Sequence, residues 1–555
     1  MVEALEDEYA IGLDLGTTFS CIGVYRNGGV EIIPNKNGEK TTPSVVIITD
    51  SNILVGEETT NFLVKNYESC IYEIKRLIGR KFSDKEVQEE IKKLPFKIIN
   101  ANNGDFPEVE VIFNGQKKTY NPVEISSFII KKMVKNAENY INKKIHELVI
   151  TVPAYFNDSQ RKLTKQAAEL LGLRVRRIIN EPTAAALSYG FDKKQELNEN
   201  ILVFDLGGGT FDVSILSVKK DEKNNLSFQV LGTSGDTQLG GEDFDNELVN
   251  YFLKKRKENE NEIRNDKKAL KRLKVSCENI KKILSSSEST TLRINNFFKN
   301  QDLNEPITRK DFEDACQHLF RKLGVSLDEA LRICKMTKKD INEIILVGGS
   351  TRIPKVKQIV KDYFPNCKIN DSINPDEAVA YGATIDAEKI LHNKDDSIAN
   401  LNFLDIIPLS LGTNIKNNSK DPEIQKEGDE MSIIIKRGAT IPTFGTRTYS
   451  SAEDNQTGMS MNIYEGEKKY VKYNHLLKKS NISGLTKRPA GKTKVVVTFE
   501  IDISGILIIK AKEESEDNKG QTLNLTIKND DISLSPEKIQ ELQKKKSRID
   551  RKNER

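Results

Sequence analysis

The sequence predicts a multidomain protein, with an α/β region followed by an antiparallel β domain and a short C-terminal helix. The first observation is a hairpin of acid and glycine residues that occurs twice, at Asp14 and at Asp205, each time between β-rich runs. The second is the alternation of strand and helix patterns around these hairpins. The third is the loss of most helical patterns after about residue 405, where short strand patterns take over until about residue 535.

The stretch over residues 201–216 places a glycine turn between two apolar runs of strand length. Gly207, Gly208 and Gly209 can aim backbone N–H groups at an anion without interference from Cβ atoms. Thr210 adds a hydroxyl donor, and Asp205 can hold a hydrated Mg²⁺. The competing interpretation is an ordinary glycine hairpin that happens to follow an aspartate.

The N-terminal hairpin repeats the pattern, because Asp14 is followed by Gly16, Thr17, Thr18 and Phe19. A single repeat at such long spacing indicates two similar lobes rather than a solenoid. Two phosphate-binding hairpins that face each other would grip one nucleotide tail from both sides, and their two aspartates would share a divalent cation. Two unrelated turns are the alternative.

Composition and charge exclude several classes of protein. The 555 residues suffice for three or four domains, and 37% hydrophobic with 30% charged residues is typical of a globular protein with an ample core. A net charge of +4 gives no reason to expect nucleic acid or membrane as partners. Six scattered cysteines and four dispersed histidines indicate reduced thiols and argue against a disulfide scaffold, a zinc site or a Ser-His triad. With no signal peptide, transit peptide or retention tail visible, we expect a cytoplasmic protein.

The elements between the two hairpins follow in order. We predict a turn into a strand at 41–46, a helix over 74–80 closed by Gly79, a helix over 121–141, a strand over 148–153, a helix from 157 to Gly172, a strand over 174–180, and a turn at 181–183 into a helix over 184–189. Lys75 lies in the first of these helices and Glu181 at the last junction. A solvated lysine and a simple helix cap are the ordinary interpretations of these two residues.

Two further glycine turns follow the second hairpin. Gly240, Gly241 and Glu242 enter a helix, and a helix N-terminus is a natural seat for an anion. Gly348 and Gly349 follow an apolar strand, where the missing Cβ atoms would admit a flat ligand such as a base or a ribose. Residues 374–377 are predicted to cap a helix over 378–387.

The change from mixed helix and strand patterns to strand patterns alone sets the predicted domain boundaries. We expect the α/β domain over residues 1–392, an interdomain linker with an exposed apolar stretch over 393–405, the β domain over 406–531 and the start of a helical region over 532–555. The helix of that last region is predicted to begin with Ser535 as its cap and Pro536 at its first position. Strands are predicted at 432–436, 446–450, 459–464, 494–501, 506–511 and 522–527. The last helix has only a sparse apolar stripe and a basic end, which fits a frayed solvated helix better than a nucleic-acid tail.

The chain resembles the heat shock protein 70 family, the seventy-kilodalton molecular chaperones, from Ile11 to about Leu542. The resemblance is carried by long motifs: Asp14-Leu-Gly-Thr-Thr, Lys75-Arg-Leu-Ile-Gly-Arg, Thr151-Val-Pro-Ala-Tyr-Phe-Asn-Asp-Ser-Gln-Arg, Ile178-Ile-Asn-Glu-Pro-Thr-Ala-Ala-Ala, Asp205-Leu-Gly-Gly-Gly-Thr-Phe-Asp, Val347-Gly-Gly-Ser-Thr-Arg-Ile-Pro and Pro408-Leu-Ser-Leu-Gly. It implies an actin-like two-lobed ATPase domain joined to a β-sandwich that binds unfolded peptide, with most of the helical lid absent and peptide release correspondingly faster.

The resemblance also implies roles for the residues of the first domain. Lys75 would position the attacking water, Asp14 and Asp205 would hold Mg²⁺ through water, and Glu181, Thr210 and Asp212 would complete the catalytic set for ATP hydrolysis to ADP, with K⁺ as a further candidate ion. The remaining nucleotide contacts implied are Gly16, Thr17, Thr18, Phe19, Gly207, Gly208, Gly209, Gly240, Gly241, Glu242, Glu278, Lys281, Ser285, Gly348, Gly349, Ser350, Arg352 and Asp376.

Partner sites are implied by the same resemblance. Tyr449, Ala452, Met459 and Met461 match positions of a groove for extended apolar peptides, although ordinary strand core is the alternative at each position. Pro153 and Arg161 resemble a relay between the domains. Arg177 and Asn180 resemble part of the docking face for a J-domain cochaperone, and a nucleotide-exchange factor is expected as a further partner.

Several positions depart from the family pattern. The polar stretch between Asn418 and Glu430 is longer than usual, and Lys416 stands where an apolar residue would arch over the peptide. Asn400 and Asn402 replace acidic and apolar linker residues, and Lys282 replaces an arginine beside the base, where lysine stacks less well. These departures keep a second hypothesis open, a nucleotide-binding regulator of other chaperones without productive peptide cycling. A small-molecule kinase of the same superfamily is a third hypothesis, which the β domain disfavours.

Overall fold

The structure is a computed structural model. It describes residues 9–49, 52–63, 67–102, 104–113, 115–192, 199–220, 226–370, 373–392, 398, 401–417, 419, 421–514, 523–524 and 526–529. These residues form two compact units. Unit 1 comprises the described residues up to Tyr155 together with Leu163–Phe403, and unit 2 comprises Phe156–Lys162 with the described residues from Leu404 onward. The precise domain boundaries given above remain predictions.

The first half of unit 1 contains the N-terminal hairpin and the sheet built on it. Its strands are β1 (Ile11–Asp14), β2 (Phe19–Arg26), β3 (Gly29–Ile32), β4 (Thr42–Pro43), β5 (Val46–Ile48), β6 (Ile53–Val55), β7 (Cys70–Ile71), β8 (Lys97–Asn100), β9 (Pro107–Phe113), β10 (Gln116–Tyr120), β11 (Glu147–Val152) and β12 (Arg174–Asn180). Its helices are α1 (Lys85–Lys93), α2 (Pro122–Ile141) and α3 (Asp158–Glu169), the last of which extends into unit 2. The described strands β12-β11-β1-β2-β3 form the main sheet in that order.

The second half of unit 1 is built in the same way on the second hairpin. Its helices are α4 (Glu181–Asp192), α5 (Gly241–Lys254), α6 (Glu260–Asn265), α7 (Lys267–Leu284), α8 (Arg309–Ala315), α9 (Gln317–Cys334), α10 (Pro354–Tyr363) and α11 (Ala378–Leu391). Its strands are β13 (Glu199–Leu206), β14 (Phe211–Lys220), β15 (Leu226–Asp236), β16 (Ser289–Phe298), β17 (Gln301–Thr308), β18 (Glu343–Val347) and β19 (Lys368–Asn370). Within unit 1 the main sheet of this half runs in the order β19-β18-β13-β14-β15.

The two main sheets share one strand pattern. In each, the hairpin strands pair antiparallel, and the first hairpin strand also pairs in parallel with a later strand, β11 in one sheet and β18 in the other. The outermost strands β12 and β19 continue the parallel edge. Each hairpin therefore lies at the centre of its sheet, between an antiparallel and a parallel neighbour, and the repeat found in the sequence extends to the arrangement of the strands.

Two predicted elements of unit 1 differ from the structure. Residues 74–80 do not form an α-helix; only a 3₁₀ turn spans Ile74–Arg76, preceded by Glu73 at φ 55° and followed by Gly79 at φ 71°. Ion pairs of the buried charged side chains outweigh helix propensity there. The predicted turn at 181–183 is also wrong, because α4 begins at Glu181 directly after β12.

Unit 2 is an antiparallel β unit with one apolar core. Its elements are β20 (Leu401–Ile406), β21 (Leu411–Ile415), α12 (Pro422–Gln425), β22 (Glu430–Ile435), β23 (Thr440–Ile441), β24 (Thr443–Ser450), β25 (Gly458–Glu465), β26 (His475–Ser483), β27 (Lys494–Ile501), β28 (Leu507–Glu514), β29 (Leu523–Asn524) and β30 (Thr526–Asn529), of which β20 begins in unit 1. One sheet has the order β22-β21-β25-β26-β30 and the other β24-β27-β28-β29. Ile463 and Ile482 from the first sheet and Val497 and Phe499 from the second belong to the same buried cluster.

The stretch predicted to be an exposed apolar linker is partly a buried strand. Leu401 begins β20 and is only 3% exposed. Phe403 stacks on Phe228 of unit 1, with ring centroids 5.5 Å apart. The prediction relied on the polar residues that precede Leu401, but burying the apolar side chain of Leu401 and part of that of Phe403 stabilises a strand there. Of residues 393–400 only Ile398 is described, and the predicted C-terminal helix over 532–555 lies outside the described residues.

Candidate nucleotide site

The two hairpins of unit 1 meet tip to tip. A Cβ atom added to Gly208 would lie 1.9 Å from Thr18 Oγ1 and 2.6 Å from its Cβ, and one on Gly209 would lie 2.6 Å from Thr17 Cγ2. Such distances are far below van der Waals contact, so only glycine allows the two turns to approach this closely. The threonines of one hairpin thus occupy the space that the glycines of the other leave open.

A cavity of about 390 Å³ opens where the hairpins meet. Nineteen of the residues predicted from the sequence line it: Asp14, Gly16, Thr17, Thr18, Phe19, Lys75, Glu181, Asp205, Gly207, Gly208, Thr210, Gly241, Glu242, Glu278, Lys281, Gly348, Gly349, Ser350 and Asp376. Residues more than 300 positions apart in the chain therefore converge on one concave site, whose size suits a small ligand.

One end of the cavity is a cluster of acids around a single lysine. Lys75 Nζ lies 2.6 Å from Glu181 Oε1, and both side chains are buried. Thr151 Oγ1 donates to Asp14 Oδ1 at 2.9 Å. Burial and, after it, the nearby Glu181 carboxylate raise the pKa of Asp14 to about 7 against the opposing effect of Lys75. Burial together with Glu181, Asp212 and Asp14 raises the pKa of Asp205 well above its ordinary value.

This charge imbalance fits a divalent cation. Asp14, Asp205 and Glu181 outnumber Lys75, so a cation placed between the aspartates would stabilise their ionised forms. No group of three or more His, Cys, Asp or Glu side chains able to hold a metal ion occurs among the described residues. Two carboxylates are nevertheless enough for Mg²⁺, which usually keeps several waters and takes further ligands from substrate phosphates.

The other end of the cavity combines backbone and side-chain donors. Ser350 Oγ donates to Gly207 O at 2.9 Å, which ties the third glycine turn to the second hairpin. Gly348, at φ 81°, has a conformation that favours glycine. Lys281 Nζ donates to Gly241 O at 2.9 Å. Lys282 also lines the cavity, and its Nζ lies 5.2 Å from the centre of the Phe19 ring, within the range of a cation–π contact.

Five predicted residues do not line the cavity but surround it. Gly209 O accepts a hydrogen bond from Arg76, Gly240 N donates to Asp243, and Ser285 Oγ donates to Lys281 O. Arg352 Nη2 forms an ion pair with Asp376 Oδ2 at 2.7 Å, so it holds a wall residue of the cavity. Asp212 is 2% exposed and pairs in register with Asp205 across the second hairpin.

Sequence reasoning missed the ion-pair cluster that joins the first half of unit 1 to helices α5 and α7. Arg76 Nη2 contacts Gly209 O at 2.9 Å and Asp243 Oδ2 at 2.8 Å. Lys274 Nζ lies 2.8 Å from Glu73 and 2.9 Å from Glu242. Burial alone would raise the pKa of Glu242, but the Lys274 and Lys281 ammonium groups hold it at about 2. The motif containing Arg76 was visible, whereas its partners lie too far away in the chain to be inferred.

The cavity lining also includes residues that sequence reasoning did not assign. These are Cys21, Glu39, Thr41, Asp245, Val347, Pro375 and Val379. Asp245 lies four residues beyond Gly241 in α5, so a helical projection from the glycine turn could have found it. Val347, Thr41 and Pro375 lie in stretches that the sequence analysis discussed, but no pattern marked them as cavity residues.

Known proteins resemble this chain over nearly its whole length. A family model described as "Hsp70 protein" matches residues 10–555. The chain belongs to the Hsp70 family. It is 44% identical over 535 residues to the heat shock 70 kDa protein of Neurospora crassa, covering 96% of this chain and 80% of the relative. It is 43% identical over 558 residues to heat shock cognate 70 kDa protein 3 of Dictyostelium discoideum, covering 98% and 86%, respectively. Membership of this family identifies a heat-shock molecular chaperone.

The peptide-site residues predicted for this Hsp70 chain lie in unit 2. Tyr449 and Met459 are half-buried and pack against the apolar core, whereas Met461 is a member of that core at 3% exposure. Ala452 is exposed in the turn after β24. Tyr449 and Ser432 share a hydrogen bond of 2.9 Å between their hydroxyl groups. Whether these positions bind peptide stays a prediction.

The remaining predicted residues lie in different surroundings. Pro153 is buried directly after β11. Arg161 is 5% exposed in unit 2, where it donates to Phe156 O at 3.0 Å. Arg177 Nη1 lies 3.0 Å from Asp386 Oδ1, and Asn180 is 4% exposed. Relay and cochaperone docking therefore remain predictions for these four residues.

Within the described part of the chain, no helix combines the length and apolar character needed to cross a membrane. All six cysteines are described, and each is a free thiol, as the sequence predicts.

Proposed function

We propose that this Hsp70 chain is an ATP-dependent chaperone that binds exposed apolar segments of unfolded proteins and couples their affinity to ATP hydrolysis. The observation that carries the proposal is the cavity where the threonine tip of one hairpin meets the glycine tip of the other. Lys75, Asp14 and Asp205 line this cavity. A site built from paired glycine–threonine turns and acids suits a triphosphate with Mg²⁺. The architecture that goes with this proposal is an actin-like two-lobed ATPase domain followed by a β-sandwich.

The proposed chemistry relies on position and charge rather than on covalent steps. Lys75, held by Glu181 at 2.6 Å, supplies a fixed positive charge beside the γ-phosphate and orients the attacking water. Thr17, Thr18 and Thr210 offer hydroxyl donors to phosphate oxygens, and the glycine turns offer backbone N–H groups. Asp14 and Asp205 would hold Mg²⁺, which when bound would supply positive charge to offset the phosphates.

The proposed peptide site lies in unit 2. Tyr449 and Met459 are only half-buried although they touch the apolar core, so they offer apolar surface next to it. Extended peptide would bind by main-chain hydrogen bonds and one apolar side chain, and methionine adapts to different side chains. A J-domain cochaperone, a nucleotide-exchange factor, K⁺ and a cytoplasmic location complete the proposal.

The test measures ATP hydrolysis and peptide release in one protein preparation. Single-turnover hydrolysis is compared between the wild type, Lys75→Ala and the control Lys132→Ala, which removes another buried, ion-paired lysine of unit 1 outside the cavity. We expect Lys75→Ala to hydrolyse ATP about 100-fold more slowly, since it removes one fixed charge of the transition-state site. Lys132→Ala should keep the wild-type rate per folded molecule.

The same samples then give the dissociation rate of a short, fluorescent apolar peptide with ADP and with ATP. The proposal expects faster release with ATP, and in Lys75→Ala that fast release should persist because ATP remains intact. Equal release rates with both nucleotides would favour a nucleotide-binding regulator instead. Wild-type hydrolysis by Lys75→Ala would remove Lys75 from the chemistry.

A further inference from the structure

Asp245 is a cavity residue to which neither the sequence motifs nor the proposed mechanism gives a role. It lies on α5 and is 2% exposed. Its side chain belongs to the cavity wall together with Lys281 and Glu278 of α7. A buried acid in a ligand cavity is costly unless its charge is used, which makes Asp245 a candidate for a functional contact.

The contact that Asp245 makes is with Lys281. Asp245 Oδ2 lies 2.8 Å from Lys281 Nζ, and the same ammonium donates to Gly241 O at 2.9 Å. An ammonium group has three N–H donors. The two acceptors therefore fix the direction of the third N–H of a side chain that is otherwise among the most flexible in proteins.

The hydrogen bonding of Asp245 differs from that of Asp243, two residues earlier on the same helix. Asp243 Oδ2 accepts from both Arg76 and Gly240, as expected of an acid that stabilises local structure. Asp245 Oδ1 is buried and has no hydrogen-bond partner among the described residues. Burial, followed by the neighbouring carboxylates Glu242 and Glu278, raises the pKa of Asp245 to about 7 against the effect of Lys281. A purely structural ion pair would gain nothing from leaving this oxygen unsatisfied.

Lys281 and Glu278 lie three residues apart on α7, so their side chains share one face of the helix. Both line the cavity, where they offer a donor and an acceptor side by side. A ribose hydroxyl both accepts and donates a hydrogen bond, so this pair suits the sugar of a nucleotide.

We propose that Asp245 is a positioning residue for nucleotide recognition, which holds Lys281 so that its free N–H meets a ribose hydroxyl. The inference rests on the proposed function, because it requires that the cavity binds a nucleotide. In this role Asp245 acts through Lys281 and not by binding the nucleotide directly. Its removal should act only through Lys281, and only on nucleotides that carry ribose hydroxyls.

The test is a double-mutant cycle with two nucleotides. Dissociation constants for Mg-ADP and for Mg-2′,3′-dideoxy-ADP are measured by calorimetry on the full chain for the wild type, Asp245→Asn, Lys281→Met and the double variant. Wild-type protein should bind the dideoxy form about tenfold more weakly, the effect of losing one hydrogen bond to a charged group. Each single variant should bind Mg-ADP about tenfold more weakly and discriminate between the two nucleotides less than the wild type does, with the remaining discrimination due to Glu278. The double variant should be no weaker than Lys281→Met.

The matched control is Glu57→Gln, which neutralises the acid of another buried lysine pair in unit 1, 2.7 Å from Lys132 and outside the cavity. It should leave the ratio of the two dissociation constants at the wild-type value. Asp245→Ser serves in place of Asp245→Asn if the latter does not fold, as judged by its melting curve.

Three results would overturn the inference. Additive losses in the double variant would show that Asp245 acts independently of Lys281. Unchanged discrimination in Asp245→Asn, with normal Mg-ADP binding by the wild type, would refute the positioning role and leave the proposed function intact. Failure of the wild-type protein to bind Mg-ADP would refute both the positioning role and the proposed function.

Discussion

Asp14 and Asp205 show how a residue's chemistry depends on its surroundings in the fold. Each stands at the end of a central strand, where the sequence motif alone predicted an acid beside a phosphate turn. The motif alone could not predict that the pKa values of both aspartates are raised, because the increase arises from burial and from Glu181, which is distant in the chain. The same limit explains why Arg76 and Asp245 were missed: their partners are joined to them only by the fold.

The raised pKa of Asp14 predicts how the stability of the nucleotide-free protein depends on pH. Its pKa rises from 3.8 to about 7, so between these values the folded state binds a proton that the unfolded chain releases. The free energy of unfolding should therefore fall by about 1–4 kcal/mol as the pH rises from 4 to 7.5. Chemical denaturation across this range measures the effect.

Asp14→Asn is the matched variant, because its amide stays uncharged at every pH. Its stability should fall less steeply over the same range, although Asp205, Glu73 and Asp245, whose pKa values are also raised, keep part of the slope. Identical slopes for the two proteins would mean that Asp14 is ionised in the folded state.

At the level of elements, signals within a few residues predicted that a helix or strand forms. They predicted less well where each element ends and which other elements it contacts. Both hairpins, the capped helix α2 and the strand–glycine-turn at Gly348 agree with their sequence patterns, because Asn121, Pro122 and the glycines act within a few residues. The equal strand order of the two main sheets was implied only by the repeated hairpin. The hairpin β16–β17 and helices α8 and α9 were not predicted, and the 3₁₀ turn at Ile74–Arg76 was taken for a helix because its ion pairs are tertiary.

The close approach of the hairpins predicts the effect of adding one methyl group. Gly208→Ala would place a Cβ within 2.6 Å of Thr18 Cβ, so one turn must move away from the other. We expect a loss of about 1–3 kcal/mol in the stability of unit 1, the usual effect of overpacking. Thermal unfolding measures this loss.

Gly207→Ala is the control, since the nearest atom to its added Cβ is Thr210 O at 3.8 Å. Its melting temperature should stay near that of the wild type. Equal melting temperatures for both variants would show that the hairpins separate at little cost.

At the scale of the whole molecule, the loss of helical sequence patterns near residue 405 corresponds to the division into two units with separate cores. A buried apolar cluster in the second half of unit 1 includes Phe204 and Phe244, and the cluster of unit 2 includes Val497 and Phe499. The sequence indicated this division near residue 405. It could not place Phe156–Lys162 in unit 2, because that assignment comes from contacts between segments distant in the chain.

Separate cores predict two thermal unfolding transitions. Mg-ADP should raise only the transition of unit 1, by mass action on the folded site. Phe499→Ala, which empties a position at 0% exposure, should lower only the transition of unit 2, since such truncations typically cost about 3–5 kcal/mol. Differential scanning calorimetry resolves the two transitions. A single transition whose temperature shifts with both Mg-ADP and Phe499→Ala would contradict the division into two separately folding units.

The fit between Thr17 and Thr18 on one side and Gly208 and Gly209 on the other bears on the ancestry of the two halves. If both arose from one duplicated ancestor, two identical tips could not have met this closely, because two threonine tips would collide and two glycine tips would leave a gap. On that condition, close approach of the tips required one copy to gain side-chain volume and the other to lose it. The two copies are therefore no longer interchangeable, and grafting either loop onto the opposite half would destroy the seat that the pair forms.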